Sequence, residues 1–237
     1  MRSGTPPFTP RIRRPGTPAV IAIDGPAASG KSSTAHWVAE RLGFRHIDSG
    51  ALYRAATAAA MRRQPAGAWT EEFVLAASAD VRLIPNSTSF VAAIGGEAID
   101  AEIRDAGVTQ HVSVVARMPR VRAWVNDVVR ETARDGDVVV DGRDIGTVVF
   151  PDADLKVFLV ADPWERARRR LTQRLERAPT DDEIAEETER LVQRDSRDAT
   201  QTVQASDAVL IDTTYLTQEE QVERIVTLAR VVLKRGG

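Results

Sequence analysis

A chain of 237 residues with 43% apolar and 28% charged side chains is long enough to bury one sizeable core, alone or with a modest insert. Its 32 basic and 34 acidic residues nearly cancel, which argues against a broad electrostatic grip on nucleic acid or an anionic membrane and leaves any cationic site local. Cysteine is absent, which excludes disulfides, thiolate metal sites and cysteine nucleophiles, and no apolar run approaches the roughly 20 residues of a membrane span, so a cytoplasmic protein is expected.

Residues 1–18 carry Pro6, Pro7, Pro10, Pro15 and Pro18 with Arg2, Arg11, Arg13 and Arg14, and lack the continuous apolar core of a secretory signal. A disordered tail is expected there, with a nucleic-acid-binding arm as the alternative. The apolar run Ala19 to Ile23 then predicts a buried strand, and after a glycine loop Ala35, Val38, Ala39 and Leu42 recur at helical spacing. Val81 to Ile84, Ser89 to Ile94 and Glu97 to Asp100 are short, with Gly95-Gly96 placed as a hairpin turn; residues 64–118 read as an antiparallel insert with helices. Strands return at Val138 to Val140, Leu155 to Val160 and Ala208 to Ile211. Helix starts are marked by Asp162, Thr180 and Thr217, each three residues before a glutamate. Val222, Ile225, Val226, Ala229 and Leu233 form the apolar stripe of a last helix. The alternation of buried strands and helices predicts an α/β fold with a central parallel sheet over 19–63 and 119–237.

Gly25-Pro26-Ala27-Ala28-Ser29-Gly30-Lys31-Ser32 fits GxxxxGK[ST] between a predicted strand and a predicted helix, the setting that this phosphate-binding loop requires. Glycines let backbone N–H groups turn toward phosphate oxygens, and the following helix adds its positive end. Lys31 supplies a full charge to the β- and γ-phosphates, the Ser32 hydroxyl suits Mg²⁺, and Ser33 extends the nucleotide contact. A plain glycine turn before an ordinary helix is the bland alternative.

The loop alone does not separate a kinase from a GTPase, a motor or a nucleotide sensor. Three clusters speak for an acceptor: Asp48-Ser49-Gly50-Ala51-Leu52-Tyr53-Arg54, Asp141-Gly142-Arg143-Asp144, and Arg194-Asp195-Ser196-Arg197-Asp198. The first two fall where βα connections open onto the edge of the sheet that carries the loop. Phosphoryl transfer has a loose transition state that arginine, lysine and magnesium stabilise, and a phosphate acceptor needs no general base. No NKxD signature of a guanine-specific switch is present.

The order and spacing of IDGPAASGKSS (23–33), DSGALYR (48–54), PRVRAW (119–124), DGRDIGTVVFPDA (141–153) and RDSRD (194–198) resemble the bacterial cytidylate kinases, nucleoside-monophosphate kinases of the P-loop class, over residues 19–233. The resemblance implies transfer of the ATP γ-phosphoryl group to CMP, and to dCMP, with Mg²⁺, by a monomer. It implies that the 64–118 insert enlarges the acceptor-binding domain and that a short lid, about 163–182, closes over the phosphates. It further implies that Ser49, Arg122 and Asp144 face the pyrimidine, that Arg54 and Arg143 hold the acceptor phosphate, and that Ser113, Arg194 and Asp198 contact the ribose. Asp144 can accept from the cytosine amine and Arg122 can donate to ring acceptors, whereas the carbonyl of uracil would meet Asp144 with repulsion. The chain departs from the family pattern at Gln201, where a further arginine is usual.

Arg166, Arg170, Arg174 and Arg177 share one helix face, either as a solvated face paired with glutamates or as the source of a lid arginine among Arg166, Arg169 and Arg170. Arg170 is the candidate for catalysis beside Lys31 and Arg143. Asp141 reads either as a water-mediated magnesium contact or as a loop cap. His36, His46 and His111 lack metal-ligand spacing and read as surface or packing residues, and the four tryptophans read as packing residues. A kinase for another small acceptor, such as shikimate, and a regulatory nucleotide sensor are the rival functions.

Overall fold

The computed structural model describes residues 17–65 and 68–234, so the expected N-terminal tail lies, up to residue 16, outside the described residues. In chain order the elements are β1 (Val20–Asp24), α1 (Lys31–Leu42), β2 (Arg45–Asp48), α2 (Ser49–Arg63), α3 (Glu71–Ala77), β3 (Val81–Pro85), β4 (Phe90–Ile94) and β5 (Glu97–Ala98). There follow α4 (Ala106–Val115), α5 (Pro119–Thr132), β6 (Val138–Gly142), a π-helical turn (Ile145–Val149), β7 (Leu155–Val160), α6 (Pro163–Leu175), α7 (Asp181–Asp198), β8 (Val209–Asp212) and α8 (Gln218–Lys234). None of the described helices is long and apolar enough to cross a membrane.

Five strands form a parallel sheet in the order β2-β6-β1-β7-β8. The central runs Ile21 to Ile23 and Val138 to Val140 are apolar throughout because helices cover both faces; in β7 the run is interrupted by buried Lys156, which pairs with Asp207 at 2.9 Å. On one face Ile21, Ile23, Val157 and Leu159 pack with Val38 of α1 and Ile225 of α8. On the other, Ala22, Ile47 and Val140 pack with Leu52 of α2 and Val121 and Val125 of α5. Val81, Ala92 and Val108 of the middle segment join that second cluster, so the antiparallel sheet β3-β4-β5 shares its core. Gly95 and Gly96 take φ of +61° and +85°, the two left-handed residues of a tight hairpin turn.

The predicted strands and helix starts are present. Asp162 accepts from the amides of Trp164 and Glu165, Thr180 and Glu183 cap each other reciprocally, and Thr217 and Glu220 do the same. The sequence pattern does not announce β2: Arg45-His46-Ile47-Asp48 offers one aliphatic residue, and the segment is extended because it pairs with β6 in register Ile47↔Val140. This edge strand matters, because it delivers Asp48 and Ser49 to the sheet end where β1 and β6 deliver Gly25 and Arg143. β1 lies between β6 and β7, so a crevice opens at the carboxyl ends of the strands.

Candidate active site

The phosphate loop leaves β1 at Gly25, whose φ is +151° and whose absent Cβ would stand 2.2 Å from the Leu159 carbonyl oxygen. Only glycine fits there. Ala28 also takes a positive φ, +57°, a conformation that costs an L-residue about 1 kcal/mol. The loop is clasped from outside: buried Arg166 of α6 donates to the Ala27 carbonyl at 2.7 Å and pairs with Asp195 of α7 at 2.7 Å, and Asp195 accepts from the Ala27 amide at 3.2 Å. Lys31 is 6% exposed, and its Nζ donates to the Pro26 carbonyl at 2.7 Å. Burial, then the nearby charge of Arg143, pushes its pKa down to about 7. A phosphate anion beside Nζ would reverse that shift.

Beside the lysine runs a chain of hydrogen bonds that leads from exposed Ser32 to buried Asp141 and His46. Ser32 Oγ donates to Asp141 Oδ2 at 2.7 Å, and His46 Nε2 donates to Asp141 Oδ1 at 2.7 Å. Burial alone would lower the His46 pKa, but the bond and charge of Asp141 together outweigh it and raise it. Asp141 is held below the usual carboxylate range because His46, Ser32 and Lys31 outweigh its burial. Burial and the Asp141 charge raise the pKa of Asp48, which caps α2 through the Ala51 amide.

Across the cavity stand four arginines. Arg54 Nη1 donates to Thr109 Oγ1 at 3.1 Å and to the Ile103 carbonyl at 3.3 Å. Arg143 reaches the Gly25 carbonyl at 3.3 Å and lies 3.5 Å from Asp198, while Arg194 lies 3.7 Å from the same carboxylate. Arg170 pairs with Glu187 of α7 at 2.9 Å. The Nε atoms of Arg143 and Arg194 are buried with no hydrogen-bond acceptor. Burial, reinforced by Arg143, Arg54 and Arg170, lowers the Arg194 pKa to about 10. Four like charges gathered on one cavity wall suit an anion.

Deeper in, Arg122 forms an ion pair with Asp144. It also donates to the Ala116 carbonyl at 3.0 Å and to Gln201 Oε1 at 3.3 Å, and its guanidinium lies 5.6 Å from the centre of the Tyr53 ring. Ser49 Oγ donates to the Asp141 carbonyl at 2.8 Å. All of this surrounds one cavity of about 390 Å³, whose wall brings together Lys31, Ser32, Ser49, Arg54, Ser113, Arg122, Arg143, Asp144, Arg170, Arg194 and Asp198.

The cytidylate kinase family model matches residues 21–231. The chain belongs to the cytidylate kinase family. It is 41% identical to a cytidylate kinase of Limosilactobacillus fermentum over 222 residues, covering 91% of this chain and 97% of that one. It is 43% identical to a cytidylate kinase of Desulfitobacterium hafniense over 221 residues, covering 91% and 94%. A shikimate kinase structure from Bacteroides thetaiotaomicron overlaps 91% of this chain at a TM-score of 0.45 and 15% identity.

Within this cytidylate kinase scaffold the loop contributes Ala27, Ala28, Lys31 and Ser32 to the cavity wall. Gly25, Pro26, Ser29, Gly30 and Ser33 are not in that wall; Ser33 bonds the Gly30 carbonyl at 3.0 Å and Gln218 of α8 at 3.2 Å. Of the lid arginine candidates, Arg166 is clasped to the loop, Arg169 donates to the carbonyls of Thr213 and Thr214, and Arg170 reaches the cavity. Arg177 does not share the helix face expected of it, because α6 ends at Leu175 and Glu176 takes a left-handed φ of +54°; Arg177 pairs with Glu183 at the surface instead. His46 is not the plain packing residue expected, because β2 turns it onto Asp141. Trp37 and Trp164 are 48% and 39% exposed, so the packing expectation fails for them. Asp48, Tyr53, Arg104 and Thr109 line the cavity without having been singled out. The first two lie inside the quoted DSGALYR stretch; Arg104 and Thr109 come from the middle segment, where no spacing signals them. Among the described residues no group of three or more His, Cys, Asp or Glu side chains gathers as a metal site.

Proposed function

We propose that the chain transfers the γ-phosphoryl group of ATP to CMP, giving CDP and ADP, and accepts dCMP as a second substrate. The observation that carries this reading is the set Arg54, Arg143, Arg170 and Arg194, gathered with Lys31 on the wall of one cavity. A nucleotide sensor has no use for a second anion site; a kinase with a phosphorylated acceptor requires one.

In this reading the loop amides and Lys31 hold the β- and γ-phosphates, and Lys31 exchanges the Pro26 carbonyl for phosphate oxygens. Arg54 and Arg143 hold the acceptor phosphate, and Ser113, Arg194 and Asp198 contact the ribose. An oxygen of the CMP phosphate attacks the γ-phosphorus, the bond to the β-γ bridging oxygen breaks, and ADP leaves; no proton need be removed, because the attacking oxygen is already ionised. Ser32 and Asp141 fit Mg²⁺ in chemistry: a hydroxyl and an ionised carboxylate 2.7 Å apart are hard oxygen donors beside the phosphate site, and magnesium keeps most of its shell as water and phosphate oxygen. When bound, the ion would neutralise charge developing on the bridging and γ-oxygens. Arg170 completes the charge on the transferring group when the lid of residues 163–182 closes, leaving Glu187. Asp144, aimed by Arg122, accepts from the cytosine amine, and Ser49 lies at the base edge. The middle segment, 64–118, acts as the acceptor-binding insert on the core of 19–63 and 119–237.

The test is ADP release with ATP and magnesium, offering CMP, dCMP, UMP, AMP, GMP and shikimate separately. Turnover with CMP and dCMP well above UMP is expected. Acceptor-independent hydrolysis, or turnover that follows shikimate or a purine, overturns the reading.

A further inference from the structure

Asp24 ends β1 and directly precedes the phosphate loop, and its carboxylate bonds the turn that follows β6. Oδ1 accepts from the Ile145 amide and Oδ2 from the Gly146 amide, each at 2.8 Å, and the side chain is only 4% exposed. Those two amides follow Asp144 in the chain. They open the π-helical turn in which the Asp144 carbonyl accepts from Val148 at 2.8 Å. The turn has no capping side chain of its own, so the carboxylate on the neighbouring strand is what fixes its first two peptide planes. The fit is close: a Cβ on Gly146 would stand 3.1 Å from the Lys156 side chain and 3.3 Å from Asp24 Oδ2. Asp144, paired with Arg122, directly precedes the two amides so held.

We propose that Asp24 is a positioning residue for acceptor discrimination, tying the strand that launches the phosphate loop to the turn that presents Asp144. The proposal rests on the reading of Asp144 as the group that recognises cytosine. A buried carboxylate with two amide donors is hard to replace, because an amide side chain keeps one acceptor and turns a donor onto the other N–H.

The experiment measures kcat/KM for CMP and for UMP in the wild type, Asp24→Asn, Asp144→Ala and the double variant, together with KM for ATP. Asp24→Asn is expected to lower the CMP-over-UMP ratio about tenfold with the ATP KM little changed. In the double variant the ratio should equal that of Asp144→Ala alone, since Asp24 acts through Asp144. If Asp144→Ala collapses the ratio and Asp24→Asn does not, or if the two losses multiply, the role of Asp24 is overturned while the base reading stands. If Asp144→Ala itself leaves the ratio intact, the base reading falls and takes this role with it. Hydrogen exchange of the wild-type protein gives a readout that needs no variant: the Ile145 and Gly146 amides should be protected like those of β6, and rapid exchange of both overturns the proposal.

Discussion

The two halves of the cavity are built in opposite ways. The donor half is one contiguous loop, residues 25–32, whose shape follows from glycine at Gly25 and Gly30 and from the strand and helix on either side. The proposed acceptor half is assembled from Arg54 on α2, Arg122 on α5, Arg143 and Asp144 at and after the end of β6, Arg194 and Asp198 at the end of α7, and Gln201 just beyond it. The loop is contiguous, with Arg166 of α6, Asp195 of α7 and Leu159 of β7 set against it from outside, whereas the acceptor wall exists only once α2, α5, the end of β6 and the end of α7 come together. The donor half should therefore tolerate change around it better than the acceptor half.

That contrast can be broken from the donor side first. Lys31→Met should lower kcat by about 10³-fold, the scale of losing a preorganised charge at the transferring group, while CMP binding by calorimetry persists. Undiminished kcat would detach Lys31 from the chemistry. Gly25→Ala should cost about 3 kcal/mol in urea unfolding, because the added methyl meets the Leu159 carbonyl at the backbone of a neighbouring strand. A stable, active Gly25→Ala protein would mean that the loop can move away from β7.

Asp24 joins the halves and gives a pH signature. Burial raises its pKa to about 6, against amide bonds from Gly146 and Ile145 that pull it down. Between about pH 4 and pH 6 the folded protein keeps a proton that the unfolded chain has released, so this group's contribution to stability falls as pH rises through that window. The wild type should lose on the order of 2–3 kcal/mol there relative to Asp24→Asn, which cannot titrate. Parallel pH profiles of the two proteins would contradict it.

On the acceptor side, Asp144→Ala should lower CMP-over-UMP discrimination by about 10- to 100-fold and leave the ATP KM unchanged. The smallest effect is expected outside both halves. Arg177→Ala removes an exposed partner of Glu183 and should leave kcat and the thermal midpoint unchanged within error. A marked loss of kcat would extend the active machinery past the end of α6.

Much of this was legible in the chain itself, and the exceptions have physical reasons. Leu155 to Val160 could be read as a strand because five of its six residues are apolar, as a doubly covered strand requires; Arg45 to Asp48 was signalled only by the βα connection expected at Asp48, because one edge pairing with β6 suffices to extend a segment with one aliphatic residue. Thr180 and Glu183 announce their helix because a capping box is local chemistry. His46 is mute in sequence: its meaning comes from Asp141, 95 residues away. Gln201 was visible as a departure, but that its amide oxygen accepts from Arg122 depends on α5 and the end of α7 meeting. Trp37 and Trp164 misled because size and apolarity do not say which side of a helix faces water.

The sequence by itself determined the phosphate loop, the strand and helix rhythm around it, and the acceptor motifs that place the chain among the cytidylate kinases, since each depends on residues close together along the chain. Only the tertiary structure decided which arginines are clasped to the loop and which reach the cavity, that Asp24 bonds the turn after Asp144, and that His46 bonds Asp141. Those are contacts between strands and helices far apart in sequence, and their charges acquire meaning only through the burial that packing imposes.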